Sequence, residues 1–461
     1  MMHANTNPFR RRGIAYVIAL CMLALMAVLA AAFINQTSLG MVSSDNYSAS
    51  TGARMAAEGG MGWIIQRIGQ VRVPENADVN QLALSLRDSL ASRLNGTANL
   101  HGSAVQASGA TVTVPPITVG GSTFQCVFTF TSTTTCQLVV SGMVGQATRR
   151  VALNLDMTVK RSGAFDFGLA SRGPITVGGS AQLVGVNNPG EANVLSVTTS
   201  AATAISVSGH TKVTGDLSVS GGSSAIAIAG SPTVGNTSNS SQWGSHCHFN
   251  VEPPDFPAYE TASLASLCTS AVDSTTNFGV KTTLSNVRIK AGTNPTFNNH
   301  MTLNGIIYVE APNKISFEGQ ATINGFIVTQ EAQPSQLSQC QISFAGGVDA
   351  YGVETLPNTS DYAAVKAKKG SFIVAPGFGV SFAGNVNAVN GNIAASQLTF
   401  TGTATGTVRG SVIGLADLPT SLGGTVNIYV DRTNAEQNPV GFTKTYALTP
   451  NPDSYLELSG Q

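Results

Sequence analysis

Charged residues are scarce: 10% of the 461 residues are Asp, Glu, Lys or Arg, and the 24 basic and 24 acidic side chains cancel. That balance excludes a global field that would recruit nucleic acid or an anionic surface. Tryptophan occurs twice and cysteine six times. The sequence also lacks a phosphate-cradling glycine loop, a nucleophile elbow and a basic-aromatic interleave. Glycine, by contrast, is abundant at 49 residues, with Ser, Thr, Asn and Val frequent throughout. This composition suits a β-rich extracytoplasmic protein, and the length allows two or three domains with their own cores.

The one long apolar run stands near the N-terminus. No charge occurs between Arg12 and Asp45, and every residue from Gly13 to Phe33 is apolar or aromatic. Roughly 20 residues at about 1.5 Å rise cross a hydrocarbon core, so this run spans a membrane. Arg10, Arg11 and Arg12 orient it with the N-terminus in the cytoplasm and the bulk of the chain outside. A cleaved secretory signal ending at Ala30-Ala31-Ala32 is the competing reading. Against it, the helical pattern continues: "GARMAAEGGMGWIIQRI" carries Ala53, Ala57, Met61, Ile64, Ile65 and Ile68 on one stripe, which Gly59, Gly60 and Gly62 weaken.

Arginines, then Gly13, then an apolar helix running into an amphipathic one with "MAAEGGM" resemble the class III leader and N-terminal helix of type IV pilin-like proteins. The likeness is to PilX-type minor pilins and to the tip pseudopilin of type II secretion. It implies cleavage by a prepilin peptidase between Gly13 and Ile14, and partners among other pilin or pseudopilin subunits through the N-terminal helix. Major pilins carry a glutamate five residues into the mature chain, where it meets the N-terminal amine of a neighbour. Here that position is Ile18, which implies a minor subunit at a filament tip. The resemblance covers about residues 8 to 70.

From 73 to 162 the reading is a small α+β pilin-like head. Val79, Leu82, Leu86, Leu90 and Leu94 mark an amphipathic helix stopped at Asn95-Gly96. Then the period changes to two: Val151, Leu153, Leu155, Met157 and Val159 form one face of a strand, preceded by a hairpin. A hairpin centred near Thr131 would set Cys126 opposite Cys136, at a separation suiting a disulfide.

Residues 163 to 432 repeat. "FNNHMTLNGIIYV" (297–309) and "FEGQATINGFIVT" (317–329) match at a spacing of 20. Looser copies start at Val177, Val207, Phe344, Phe382 and Phe400, each followed two residues later by Gly. Short strands, Gly/Asn corners tolerant of positive φ and a regular period suit a right-handed parallel β-helix, with a β-sandwich as the competitor.

Chemistry is thinly supported. His246, Cys247 and His248 are weak metal candidates, because adjacent residues rarely serve one tetrahedral ion; no metal or cofactor is expected. These residues lie in "WGSHCHFNVEPPDFP", which interrupts the repeats at 243–257; a Cys247–Cys268 disulfide across that insertion is the better reading, leaving Cys340 free or buried. Acidic residues are scattered, although Glu310 with Lys290, or Asp349 with Asp361, have room to meet on the surface. Lys366, Lys368 and Lys369 read as a solvated patch.

The expectation is therefore a mainly β protein: leader 1–13, transmembrane and amphipathic helix 14–72, pilin-like α+β segment 73–162, parallel β-helix 163–432, cap or tail 433–461. Its function is that of a minor pilin-like structural subunit of a type IV pilus or type II secretion pseudopilus. It would be single-pass in the inner membrane with the bulk periplasmic, or extracellular within a pilus. The solenoid would serve as an adhesive or structural module meeting a surface or polysaccharide, with no nucleic acid among the partners. The alternatives are a permanently anchored envelope solenoid and a carbohydrate-active β-helix enzyme.

Overall fold

A computed structural model describes residues 9–69, 71–73, 77–278, 283–433, 435–436 and 438–458. The protein is mostly β with a long N-terminal apolar helix. It divides into two compact units, one holding the described residues of 1–71, 76–158 and 446–461, the other those of 72–75 and 159–445.

In the first unit, helix α1 runs Phe9–Ile65 without a break, about 85 Å at 1.5 Å per residue. It continues through the three glycines that weaken the sequence pattern. Gly60 alone has a packing reason: a Cβ there would stand 2.5 Å from the Phe124 ring, whereas nothing lies within 4 Å of one at Gly59 or Gly62. Across the contact, a Cβ at Gly142 would stand 2.1 Å from the Ala53 carbonyl oxygen. Helix and sheet thus approach backbone to backbone, burying Ala53, Ala57, Met61 and Ile64, while Trp63 meets Phe124 edge-on at 5.6 Å.

Helix α2, Val79–Leu94, starts at a capping box in which Asp78 accepts from the Asn80 and Gln81 N–H groups. Leu82, Leu86, Leu90 and Leu94 are buried, each contributing roughly 1.5–3 kcal/mol of apolar burial. Behind the helices lies a seven-stranded sheet. Its antiparallel ladder joins Gln106–Ser108, Thr111–Val119, Ser122–Phe130, Thr135–Val144 and Ala147–Lys160.

Two expectations fail in this sheet. The hairpin pairs Phe130 with Cys136 and Cys126 with Val140, so the turn lies two residues beyond Thr131. Cys126 and Cys136 are offset by four residues, about 13 Å along the strands at 3.3 Å each, too far for a disulfide; both are free thiols. In the C-terminal segment taken for a cap or tail, Lys444–Leu458 is a strand placed between Val71–Val73 and Ala147–Lys160. Pro450 and Pro452 suggest a break in the sequence. Two residues apart on an extended chain, they withhold N–H groups along one side only.

The second unit is built from short parallel strands laid in register. One column of Cα partners runs Phe297, Phe317, Phe344, Phe382, Phe400, Leu422, Val177, Val207 and Ile228. The five phenylalanine rings stack 4.8–5.0 Å apart, the spacing of neighbouring strands. These are the repeat positions read from the sequence, but their order in space is not their order in the chain. The strands of 412–430 pair with those of 169–185: Val412 with Leu169, Thr420 with Ile175, Ile428 with Leu183. The first repeat is therefore flanked by the last on one side and the second on the other.

The corner glycines carry this seam. Gly179 has φ +73° and Gly209 φ +81°; a Cβ on Gly179 would meet the Gly424 oxygen at 2.8 Å and one on Gly209 the Gly179 oxygen at 2.5 Å. Buried Glu191 closes the seam from the side, accepting from the Arg432 N–H at 3.1 Å and from Asn187 Nδ2 at 3.0 Å. Burial raises the Glu191 pKa, but bonds from Asn187, Arg432 and Asn188 outweigh it and hold the carboxyl below its ordinary range.

Residues 249–269, which interrupt the repeats, link the two ends of the stack. Val251 N–H bonds the Val219 carbonyl; Phe256 packs with Ala170, Leu195, Ala394 and Ile413; Leu264 packs with Ile306 and Phe326; Thr269 N–H bonds the Asn286 carbonyl. The strap thus passes across strand after strand, with Pro253, Pro254 and Pro257 favouring the extended backbone it needs.

Candidate functional site

Four features carry the residues singled out above. The first is α1 itself. Residues 1–8 of the expected leader lie outside the described residues; Gly13 and Ile14 fall within the helix, and Arg10, Arg11 and Arg12 on its first turns. From Ile14 onward the helix is long and apolar enough to cross a membrane. Its large apolar side chains up to Val42, Ile18 among them, are 47–76% exposed. A stretch this apolar and this bare is compatible with a membrane anchor.

The second feature is the "HCH" triplet. Cys247 pairs with Leu217 and His248 with Ser218, which sets His246 beside Asp216. His246 Nδ1 lies 2.7 Å from Asp216 Oδ1 and His248 Nε2 lies 3.1 Å from Oδ2. Burial raises the Asp216 pKa, but hydrogen bonds from His248 and His246 and their charge outweigh it and hold it below 3.8. Cys247 packs against the core of the stack, so alternation along the strand separates it from the imidazoles. Among the described residues no three His, Cys, Asp or Glu side chains are arranged to hold a metal ion.

The Cys247–Cys268 pairing fails for a topological reason: the two thiols sit near opposite ends of the strap, one against Leu217, the other packed with Tyr308. All six cysteines are free. Burial pushes the Cys126 thiol up to about 12; it pushes Cys136 to about 12 as well, against a hydrogen bond from the Thr129 backbone.

The third feature is the acidic residues. Glu310 does meet Lys290, at 3.5 Å, but within an ion pair with Arg288. Burial works against its charge, yet the Ala291 N–H and Arg288 hold its pKa low. Asp349 and Asp361 are not brought together: Asp349 accepts from Gln320 and Asn387, and Asp361 opens the short helix Ser360–Lys366.

The fourth feature was not legible in the sequence. A cavity of about 470 Å³ is lined by residues from six separate stretches, among them Asn187, Glu354, Lys369, Asn390, Arg409 and Asp431. Lys368 and Lys369, read as a solvated patch, belong to its wall. Lys366 stands apart, donating to the Leu356 carbonyl at 2.6 Å. No motif links these positions, because parallel stacking collects them from strands and loops 14 or more residues apart in the chain.

No family model and no curated protein matches the chain. Among solved structures it is similar to the competence-associated pilin ComZ from Thermus thermophilus, over 89% of this chain and 96% of that one, at 10% identity and a TM-score of 0.26. At that score the functional reading stands on this chain's own residues.

Proposed function

We propose that the chain is a minor pilin-like structural subunit of a type IV pilus or type II secretion pseudopilus, standing at the filament tip. The observation that carries this is α1: one continuous helix that is bare and apolar over its first half and packs its last turns, from Gly52 onward, through small residues into an antiparallel sheet. Such a helix serves as a membrane anchor before assembly and as a bundle element after it. The N-terminus lies in the cytoplasm and both units in the periplasm, following the arginines. Prepilin peptidase is the processing partner, and other pilin subunits pack on α1. Ile18 in place of an acid supports the tip position, since a tip subunit has no neighbour ahead whose amine needs neutralising.

The second unit, in this reading, is a parallel β-helix that presents an adhesive or structural surface. In-register parallel columns support it, and the strong preference for right-handed crossovers supports its hand. The role is structural rather than catalytic, as the engagement of Glu310 and Asp349 in ion-pair and amide contacts suggests.

N-terminal sequencing of the mature protein tests the reading. A chain beginning at Ile14 supports it. A chain beginning at Met1 points to a permanently anchored envelope protein and one beginning near Phe33 to a secretory signal; either overturns it.

A further inference from the structure

The 470 Å³ cavity of the second unit has a size within the range of about 300–1,000 Å³ typical of small-molecule sites, but not their usual apolar lining. Among the described residues Val353 and Ala435 are its apolar side chains and no aromatic ring lines it. Its charges balance, Glu354, Asp431 and Glu436 against Lys368, Lys369 and Arg409. It therefore offers neither a greasy wall for a hydrophobic ligand nor a net field for a bare ion.

One wall is prearranged. Asn390 and Arg409 are partners in the parallel ladder, and Arg409 Nη1 donates to Asn390 Oδ1 at 2.8 Å. Arg409 Nε lies 3.8 Å from Asp431 Oδ2, and Asn187 Nδ2 donates to Asp431 Oδ1 at 3.1 Å. The facing groups are different: Glu354, Lys369 and Glu436 stand exposed at the rim, and their side chains have no hydrogen bond or ion pair among the described residues. Charged acceptors and donors, three of each sign among the described lining residues, thus share one space, and Glu354, Lys369 and Glu436 reach it without a protein partner. A hydroxyl is at once a donor and an acceptor, so a ligand carrying many hydroxyls on a compact frame satisfies this lining where a carboxylate, an amine or a hydrocarbon does not.

We propose that this cavity binds a neutral saccharide, with Glu354 and Glu436 accepting from sugar hydroxyls and Lys369 and Arg409 donating to sugar oxygens. The proposal rests on the reading of the second unit as a presented module, and names the class of ligand presented. Because Asn187 comes from the first repeat and Asp431 from the end of the last, the site exists only when the seam between them is closed.

The test uses the full-length protein in lauryldimethylamine oxide, a detergent without a sugar headgroup, and saturation-transfer NMR with maltose, N,N′-diacetylchitobiose and digalacturonic acid at millimolar concentration. Transfer to at least one neutral disaccharide is expected in the wild type. It should weaken at least tenfold in Glu354→Gln/Glu436→Gln and in Lys369→Gln, and stay unchanged in Glu318→Gln, an exposed carboxylate outside the cavity. Circular dichroism confirms that each variant keeps its fold, and a variant that does not is replaced by the remaining one. No transfer to either neutral sugar, transfer to the uronate alone that vanishes in 0.5 M salt, or transfer indifferent to the cavity variants each overturns the proposal. None of these outcomes bears on whether the mature chain begins at Ile14, so the two readings fail separately.

Discussion

Gly179→Ala, compared with Gly292→Ala, isolates the seam. The two glycines have nearly the same backbone, φ +73° and φ +74°, so both alanines meet the same left-handed penalty of about 1–2 kcal/mol. Their surroundings differ: nothing lies within 4 Å of a Cβ at Gly292, whereas one at Gly179 would stand 2.8 Å from the Gly424 oxygen and 3.1 Å from its nitrogen. Both are backbone atoms of the last repeat and cannot swing away like a flexible side chain. Overpacking of this kind costs roughly 1–3 kcal/mol, so the excess at position 179 should be about 2 kcal/mol. That converts to an opening equilibrium about 30-fold larger, at tenfold for each 1.4 kcal/mol. Hydrogen exchange by mass spectrometry on the full chain in micelles reads it directly. Gly179→Ala should lose protection in peptides from both 169–185 and 412–430, and Gly292→Ala in neither. Were the repeats stacked in sequence order, position 179 would head the stack with open space on that side. Equal effects of the two variants, or losses at 179 confined to 205–230, would refute the seam.

Phe344, 1% exposed and stacked on Phe317 and Phe382, should lose about 3–5 kcal/mol on truncation to Ala but about 1.5 kcal/mol or less on change to Leu, as measured by urea denaturation. Cys126 and Cys136 should resist maleimide at pH 8.5 until the chain is unfolded, and recovery of a Cys126–Cys136 disulfide peptide from unreduced protein would contradict the hairpin register. Because their folded thiol pKa values are raised from 9.0 to about 12, the stability they contribute is whole below pH 9 and is lost as pH climbs toward 12. Asp216 behaves in the opposite sense: with its folded pKa held below 3.8, its contribution is whole above pH 3.8 and fades as pH falls further. Exchange in 240–250 should accelerate in that acid window, and Asp216→Asn should remove the pH dependence; an unchanged profile in the variant would show that the two imidazoles do not depend on this carboxylate.

Much of the chain announces itself locally. The apolar run from Gly13 to Phe33, the capped helix of Leu82, Leu86, Leu90 and Leu94, and the alternation from Val151 to Val159 are patterns of neighbours, and each gave its element. The repeat positions Phe297, Phe317, Phe344, Phe382 and Phe400 were legible too, since each ring stands two residues before a Gly or Asn corner, although the intervals between them run from 18 to 38 residues. Hairpin register was misread because a Ser/Thr turn has no residue that marks its centre, and two residues of slip separate Cys126 from Cys136. The C-terminal strand was missed because its partners lie some 300 residues upstream.

What the sequence determined by itself is the set of parts: an apolar helix with arginines before it, an antiparallel sheet, and repeats with Gly at their corners. Tertiary structure alone decided their order and the sites between them. Parallel strands place no constraint on which repeat lies next to which, so long as the corner glycines and the apolar column match, and Leu422 fits against Val177 as well as Phe400 fits against Phe382. That permissiveness let the first repeat dock on the last, sent residues 249–269 across the stack, and brought Asn187, Arg409 and Asp431 into one wall.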